Sequence, residues 1–175
     1  LGGQQQGWRR PSAAWLERAE RWAALEIRMQ RALDERGEAR DADEAEAFAR
    51  IAYRKGIFDA SARWFAEALG ARRDREVGEF TRLEAVCAAL RVAASSNGAE
   101  RDAWRARAKA WLAEDLDLRE RQLGEGRPAA ITARRVLGAW RVVPELAEAE
   151  RSEWRELWDR AAHLAVRAAD AVRVR

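Results

Sequence analysis

The chain has 175 residues, 48% of them hydrophobic and 36% charged, with a formal net charge of +3. That length allows one sizeable core or a short solenoid, and a composition led by Ala, Glu, Arg and Leu with only three prolines points to an all-α fold. A single cysteine, Cys87, excludes an internal disulfide, and no apolar run approaches the roughly 18 residues that cross a bilayer.

The basic balance does not by itself name a partner. The 33 basic and 30 acidic residues alternate closely, as in Arg18-Ala19-Glu20-Arg21 and Glu148-Ala149-Glu150-Arg151. Interspersed charge of this kind belongs to a solvated, salt-bridged helix face rather than to a nucleic-acid footprint. Only Lys55 and Lys109 are lysines, and the arginine bias carries no functional reading. No signal peptide is read, and the chain opens on Leu1 rather than Met, so a piece of something longer is expected. The expected compartment is cytoplasmic, or extracytoplasmic if a parent chain spans a membrane upstream.

Residues 1–10 lack periodicity and read as linker, and 11–175 as a single helical domain. Pro11-Ser12 starts a long helix to about residue 36, with Trp15, Trp22, Leu25, Met29 and Leu33 along one face and Gly37 closing it. A second helix is expected over about 43–55 and a third over about 59–69. Within 42–75, Ala49, Tyr53, Gly56, Phe58, Phe65 and Ala68 fall at the spacing of a tetratricopeptide repeat, two antiparallel helices that cannot bury their apolar faces alone. Ala49 and Ala68 allow close approach, Tyr53, Phe58 and Phe65 fill the space between, and Gly56 supplies the turn.

A fourth helix is expected over about 79–94, carrying Phe80, Leu83, Val86, Cys87 and Leu90. Ser95-Ser96-Asn97-Gly98 reads as a loop. A fifth helix follows over about 100–122, with Trp104, Ala108, Trp111, Leu112 and Leu116 on its apolar face. Residues 79–122 thus look like a second, degenerate repeat whose inter-helix loop is longer than the first. Gly124 to Pro128 break the pattern, and residues 128–175 supply two closing helices. The sixth, about 129–141, presents Ala133, Val136, Leu137 and Trp140. The seventh, from about 146, presents Trp154, Leu157, Trp158, Ala161, Leu164, Ala165 and Ala168 and caps the stack.

Candidate chemistry is sparse. His163, the only histidine, has no base-and-orienter set around it, and Cys87 on an apolar face behaves as a small hydrophobe. One His and one Cys on separate helices do not supply a zinc site, so no metal and no cofactor is expected. Asp115 falls on the apolar side of the fifth helix, where a carboxylate must be paired, with an arginine as the expected partner. Nine tryptophans invite comparison with base-stacking platforms, but Trp22, Trp104, Trp111, Trp140, Trp154 and Trp158 lie on core stripes, leaving Trp8 and Trp64 as the expected exposed ones. Phosphate-loop and kinase signatures are absent, so no enzymatic activity is expected of this segment.

Several stretches carry a resemblance: Ala52 through Phe65, Ala85 through Leu90, Ala110 through Leu116, and Glu150-Arg151 through Leu157-Trp158-Asp159. From about residue 15 to 167 their order resembles the C-terminal tetratricopeptide tail of large serine/threonine protein kinases and related repeat proteins of planctomycete-type bacteria. Leu83-Glu84 stand near where that family has a tyrosine-asparagine pair, and the stretch from Trp140 to Leu146 is shorter than the family's. The resemblance implies a regulatory or scaffolding tail whose kinase domain lies elsewhere in the parent.

The expectation is therefore a short tetratricopeptide-like solenoid of about seven helices, a non-catalytic module that captures a protein or peptide. On the repeat register Glu46, Arg50, Tyr53 and Arg54 point into its groove. Two alternatives stand beside it. One is a plain capping bundle at the end of a longer solenoid. The other is a stand-alone nucleic-acid binder using arginines and exposed tryptophans.

Overall fold

The computed structural model describes residues 13–35, 37–72, 77–125, 127–140 and 154–173, and the linker reading of 1–10 lies outside them. Among the described residues there are seven helices and no strands: α1 (Ala13–Glu35), α2 (Ala42–Arg54), α3 (Phe58–Ala71), α4 (Thr81–Ser95), α5 (Gly98–Gly124), α6 (Arg127–Trp140) and α7 (Arg155–Arg173). The protein is all-α. Its backbone divides into two compact units, Leu1–Glu38 and Ala39–Arg175.

The first unit contains α1. The Gly37 N–H donates to the Ala32 carbonyl at 2.8 Å, closing the helix where the glycine was expected to end it. Met29 is buried, whereas Trp15, Leu16 and Ile27 are each at least half exposed. Trp15 therefore departs from the expected core stripe. It sits in the first turn of α1.

In the second unit each described helix packs on the next described one, from α2 through to α7, and α2 also touches α4 while α5 touches α7. Local chemistry explains the first return of the chain. Asp41 caps α2, its side chain accepting the Glu44 N–H at 2.8 Å. At the other end Gly56 takes φ +75°, and the Ile57 N–H reaches back to the Ala52 carbonyl at 2.9 Å. That left-handed residue is what only glycine adopts without a Cβ penalty, so the helix stops and the chain reverses within three residues. Ala49, Ala68 and Phe65 are buried as expected, and Ser61 Oγ donates to the Ala49 carbonyl at 2.8 Å, stitching α3 to α2.

Three expectations are corrected. Trp64 is buried, not exposed, with its ring edge-on to Phe48 at 5.2 Å between centroids. The reason is the position of α3 between α2 and α4, which buries a helix on two sides and claims positions that a one-sided helix would leave wet. The connection from α4 to α5 is not the longer loop expected of a degenerate repeat. It is two residues, Ser96 and Asn97, because Gly98 at φ +56° already begins α5. Finally α4 begins at Thr81 rather than at Glu79, since Gly78 to Thr81 form a turn in which the Thr81 N–H donates to the Gly78 carbonyl at 3.0 Å.

The rest of the core follows the apolar spacing. Ala108, Trp111, Leu112 and Leu116 are buried along α5, while Trp104 is half-buried with the Arg107 guanidinium 5.0 Å over its ring. Ala133, Val136 and Leu137 bury the inner face of α6, and Trp154, Ala161, Leu164 and Ala168 that of the α7 region. The side chain of Trp140, Trp8 and the predicted helical stretch 146–153 lie outside the described residues. Each fully buried Leu or Phe contributes about 2 kcal/mol relative to leaving it in water, so this continuous interior outweighs any single polar contact.

Candidate functional site

The four expected groove residues all stand on α2, but the structure gives them different company. Glu46 is buried. Its Oε1 accepts a hydrogen bond from Thr81 Oγ1 at 2.7 Å and lies 3.1 Å from Arg50 Nη2, while its Oε2 accepts from Arg72 Nη1 at 2.5 Å. Arg50 donates through Nε to Glu84 Oε2 at 2.7 Å and through Nη2 to Thr81 Oγ1 at 3.1 Å. Arg72 also pairs with Asp43. A single polar clamp thus ties α2 to α4 and to the residue that follows α3. Glu46 and Arg50 are its centre.

The clamp has a backbone requirement. A Cβ added at Gly78 would stand 2.8 Å from Thr81 Oγ1, 3.1 Å from Glu46 Oε1 and 3.2 Å from Arg50 Nη2. Gly78 is therefore needed for close approach rather than for an unusual φ. Removing water from a carboxylate as buried as Glu46 is costly unless its oxygens are satisfied, and here both are.

Tyr53 and Arg54 lie at the other end of α2. Tyr53 is half-buried and meets Phe58 edge to face, 5.5 Å between ring centroids, and Phe58 in turn carries the Arg91 guanidinium 5.5 Å over its ring. Arg54 is exposed in the last turn of α2, where a cation suits the helix dipole. Of the four, Arg54 is the most open to solvent.

Two further polar groups join helices. Asp115 is fully buried and pairs with Arg119, as its position on the apolar side demanded: Arg119 Nη2 donates to Asp115 Oδ1 at 2.8 Å, Nη1 to Gln122 Oε1 at 2.8 Å, and Nη2 also to the Glu79 carbonyl at 3.1 Å. Arg135 of α6 reaches Glu79 Oε2 at 3.0 Å. On the outside, Arg160 of α7 meets Asp117 and Glu120 of α5 at 2.7 Å each, and Arg167 meets Glu120 at 3.1 Å. The Arg160 hydrogen bond, with smaller help from Arg167, holds the Glu120 carboxyl below its ordinary value, and the same bond raises Arg160.

Other chemistry-bearing residues are scattered. His163 is exposed on α7 and Cys87 is buried in α4. Among the described residues no group of three His, Cys, Asp or Glu side chains is placed to hold a metal ion, and no helix is long and apolar enough to cross a membrane. Sequence reasoning did not single out Arg72, Thr81 or Gly78. Only the Glu46–Arg50 spacing of four residues hinted at the clamp, because the remaining contacts join positions 26 to 35 residues apart.

Compared with known proteins, the chain matches no family model, no curated protein and no solved structure.

Proposed function

We propose that residues 39–175 form a non-catalytic, tetratricopeptide-like interaction module that captures a protein or peptide. The observation that carries this reading is the second-neighbour packing. Beyond neighbouring described helices meeting, α2 also touches α4, the relation expected when one helix pair stacks on another. Such stacking gathers alternate helices on one side, where they offer a continuous surface to a helix or an extended peptide. On that reading Glu46 and Arg50 hold two neighbouring helices in register, while Tyr53 and Arg54 supply contact at the end of α2. Attachment to a serine/threonine kinase rests on the sequence resemblance alone, and a kinase domain encoded upstream in the same reading frame is its test.

The binding reading is tested with a photo-crosslinking residue at position 54 and, as control, at the exposed Val166 of α7. A protein adduct formed at 54 and not at 166, and reduced at least tenfold when Tyr53→Ala is added without loss of helicity, supports it. Equal adducts at both positions, or recovery of nucleic acid in place of protein, reject it.

A further inference from the structure

Helix α1 is apolar on two sides, and only one of them is covered. Trp22, Leu25, Met29 and Leu33 are half-buried or buried along the first. Leu16, Ala19, Ala23 and Ile27 form the second, and all four are exposed, Leu16 by 50% and Ile27 by 57%. At 3.6 residues per turn these four fall within about 80° of one another around the helix. Trp15, 58% exposed, extends the stripe at its N-terminal end. Apolar side chains gathered on one exposed face mark a docking surface more often than scattered ones do. Here a large residue stands at each end with two alanines between, a shape that lets a second helix approach to the usual interaxial distance of about 8–10 Å.

The charges bordering the stripe decide what that helix carries. Glu20 lies about 20° beyond Ile27 on one edge and Glu26 about 20° beyond Ala19 on the other. Asp34, which accepts a hydrogen bond from Gln30 at 3.0 Å, continues the stripe towards the C-terminus, and all three carboxylates are exposed. The four arginines of α1, Arg18, Arg21, Arg28 and Arg31, lie towards the other side of the helix; Arg31, the nearest, is about 40° outside the apolar edge. A second copy of α1 would therefore set carboxylate against carboxylate at both borders, which disfavours self-pairing. A helix with basic borders would meet opposite charge on both. We propose that this face of α1 docks an amphipathic helix of another polypeptide, one whose apolar stripe is bordered by lysine or arginine. The surface is confined to α1, so it stands or falls independently of Tyr53 and Arg54.

The test is fluorescence anisotropy of the whole 175-residue chain with two labelled, amidated Leu/Ala helical peptides of identical apolar pattern. One has lysines bordering its leucines and the other glutamates. The lysine peptide should bind, and its glutamate twin at least tenfold more weakly. Ile27→Ser should weaken the lysine peptide at least tenfold, and Val166→Ser, at an exposed apolar position on α7, less than twofold. Glu20→Lys should narrow the preference between the twins at least threefold. No binding of the lysine peptide, equal binding of the twins, or equal weakening by Ile27→Ser and Val166→Ser overturns the proposal. A dimer of the parent chain in sedimentation that Ile27→Ser dissociates also overturns it, assigning the face to a second copy.

Discussion

The two ends of the second unit are held together by ion pairs in very different settings. Where α2, α3 and α4 meet, Glu46, Arg50, Arg72 and Thr81 form a mostly buried clamp in which both Glu46 oxygens are satisfied. Where α5 meets α7, Arg160, Arg167, Asp117 and Glu120 form a network open to water. The number of charges is similar, but the dielectric is not. Water screens the outer network and competes for each of its hydrogen bonds, whereas the clamp has exchanged its water for fixed partners and suffers heavily if one is removed. Ion pairs in this molecule thus do two jobs. Buried ones set the register of neighbouring helices, and exposed ones merely favour it.

Breaking the molecule at chosen points sharpens that contrast. The largest loss is expected in the apolar interior beside the clamp. Trp64→Ala, which removes the ring packed on Phe48, should cost about 3–5 kcal/mol in urea unfolding, whereas Trp15→Ala on the exposed turn of α1 should stay within about 0.5 kcal/mol. Equal losses would put the Trp64 ring at the surface, as the sequence suggested.

Removing one partner of a buried pair comes next. Asp115→Ala strands Arg119 in the interior and should cost about 3 kcal/mol, while the double change Asp115→Leu with Arg119→Met should recover most of that stability. In the clamp, Gly78→Ala pushes a methyl against Thr81 and Glu46 and should cost about 1–3 kcal/mol. A Gly78→Ala protein as stable as the parent would mean that the clamp closes less tightly than its geometry indicates.

The smallest effect belongs to the outer network. Arg160→Ala should lower the urea midpoint only slightly, and less again in 1 M salt, where the screening length is about 3 Å. Its pH dependence has a definite sign. The Glu120 carboxyl is held below its ordinary 4.5 in the folded chain, so its stabilisation is complete above that value and lost as pH falls through the lower folded one. Parent and Arg160→Ala should therefore differ by a constant amount between pH 6 and 8 and converge in acid. A difference that widened in acid would reverse the assignment.

Much of this architecture was legible in the residues because helices are local objects. The period of apolar side chains placed the first six helices to within a few positions and the described part of the seventh inside its expected stretch, and Gly56 marked its turn because φ +75° demands a residue without a Cβ. Asp115 announced its need for a partner for a similar reason, since a carboxylate on an apolar stripe has few physical options. The groove assignment is where local reasoning ran out. Periodicity says which face of α2 Glu46 occupies but not that Arg72 and Thr81 reach it from 26 and 35 residues away.

By itself, then, the amino-acid order determined the helical class, the positions of the breaks and the identity of most of the core, all of which follow from spacing within a turn or two. Only the tertiary structure decided that Trp64 is inside and Trp15 outside, that Gly78 must lack a side chain, and that Arg82 is buried short of acceptors. Those outcomes depend on what the neighbouring helices bring, and a helix carries in its own sequence no record of which neighbour will cover it.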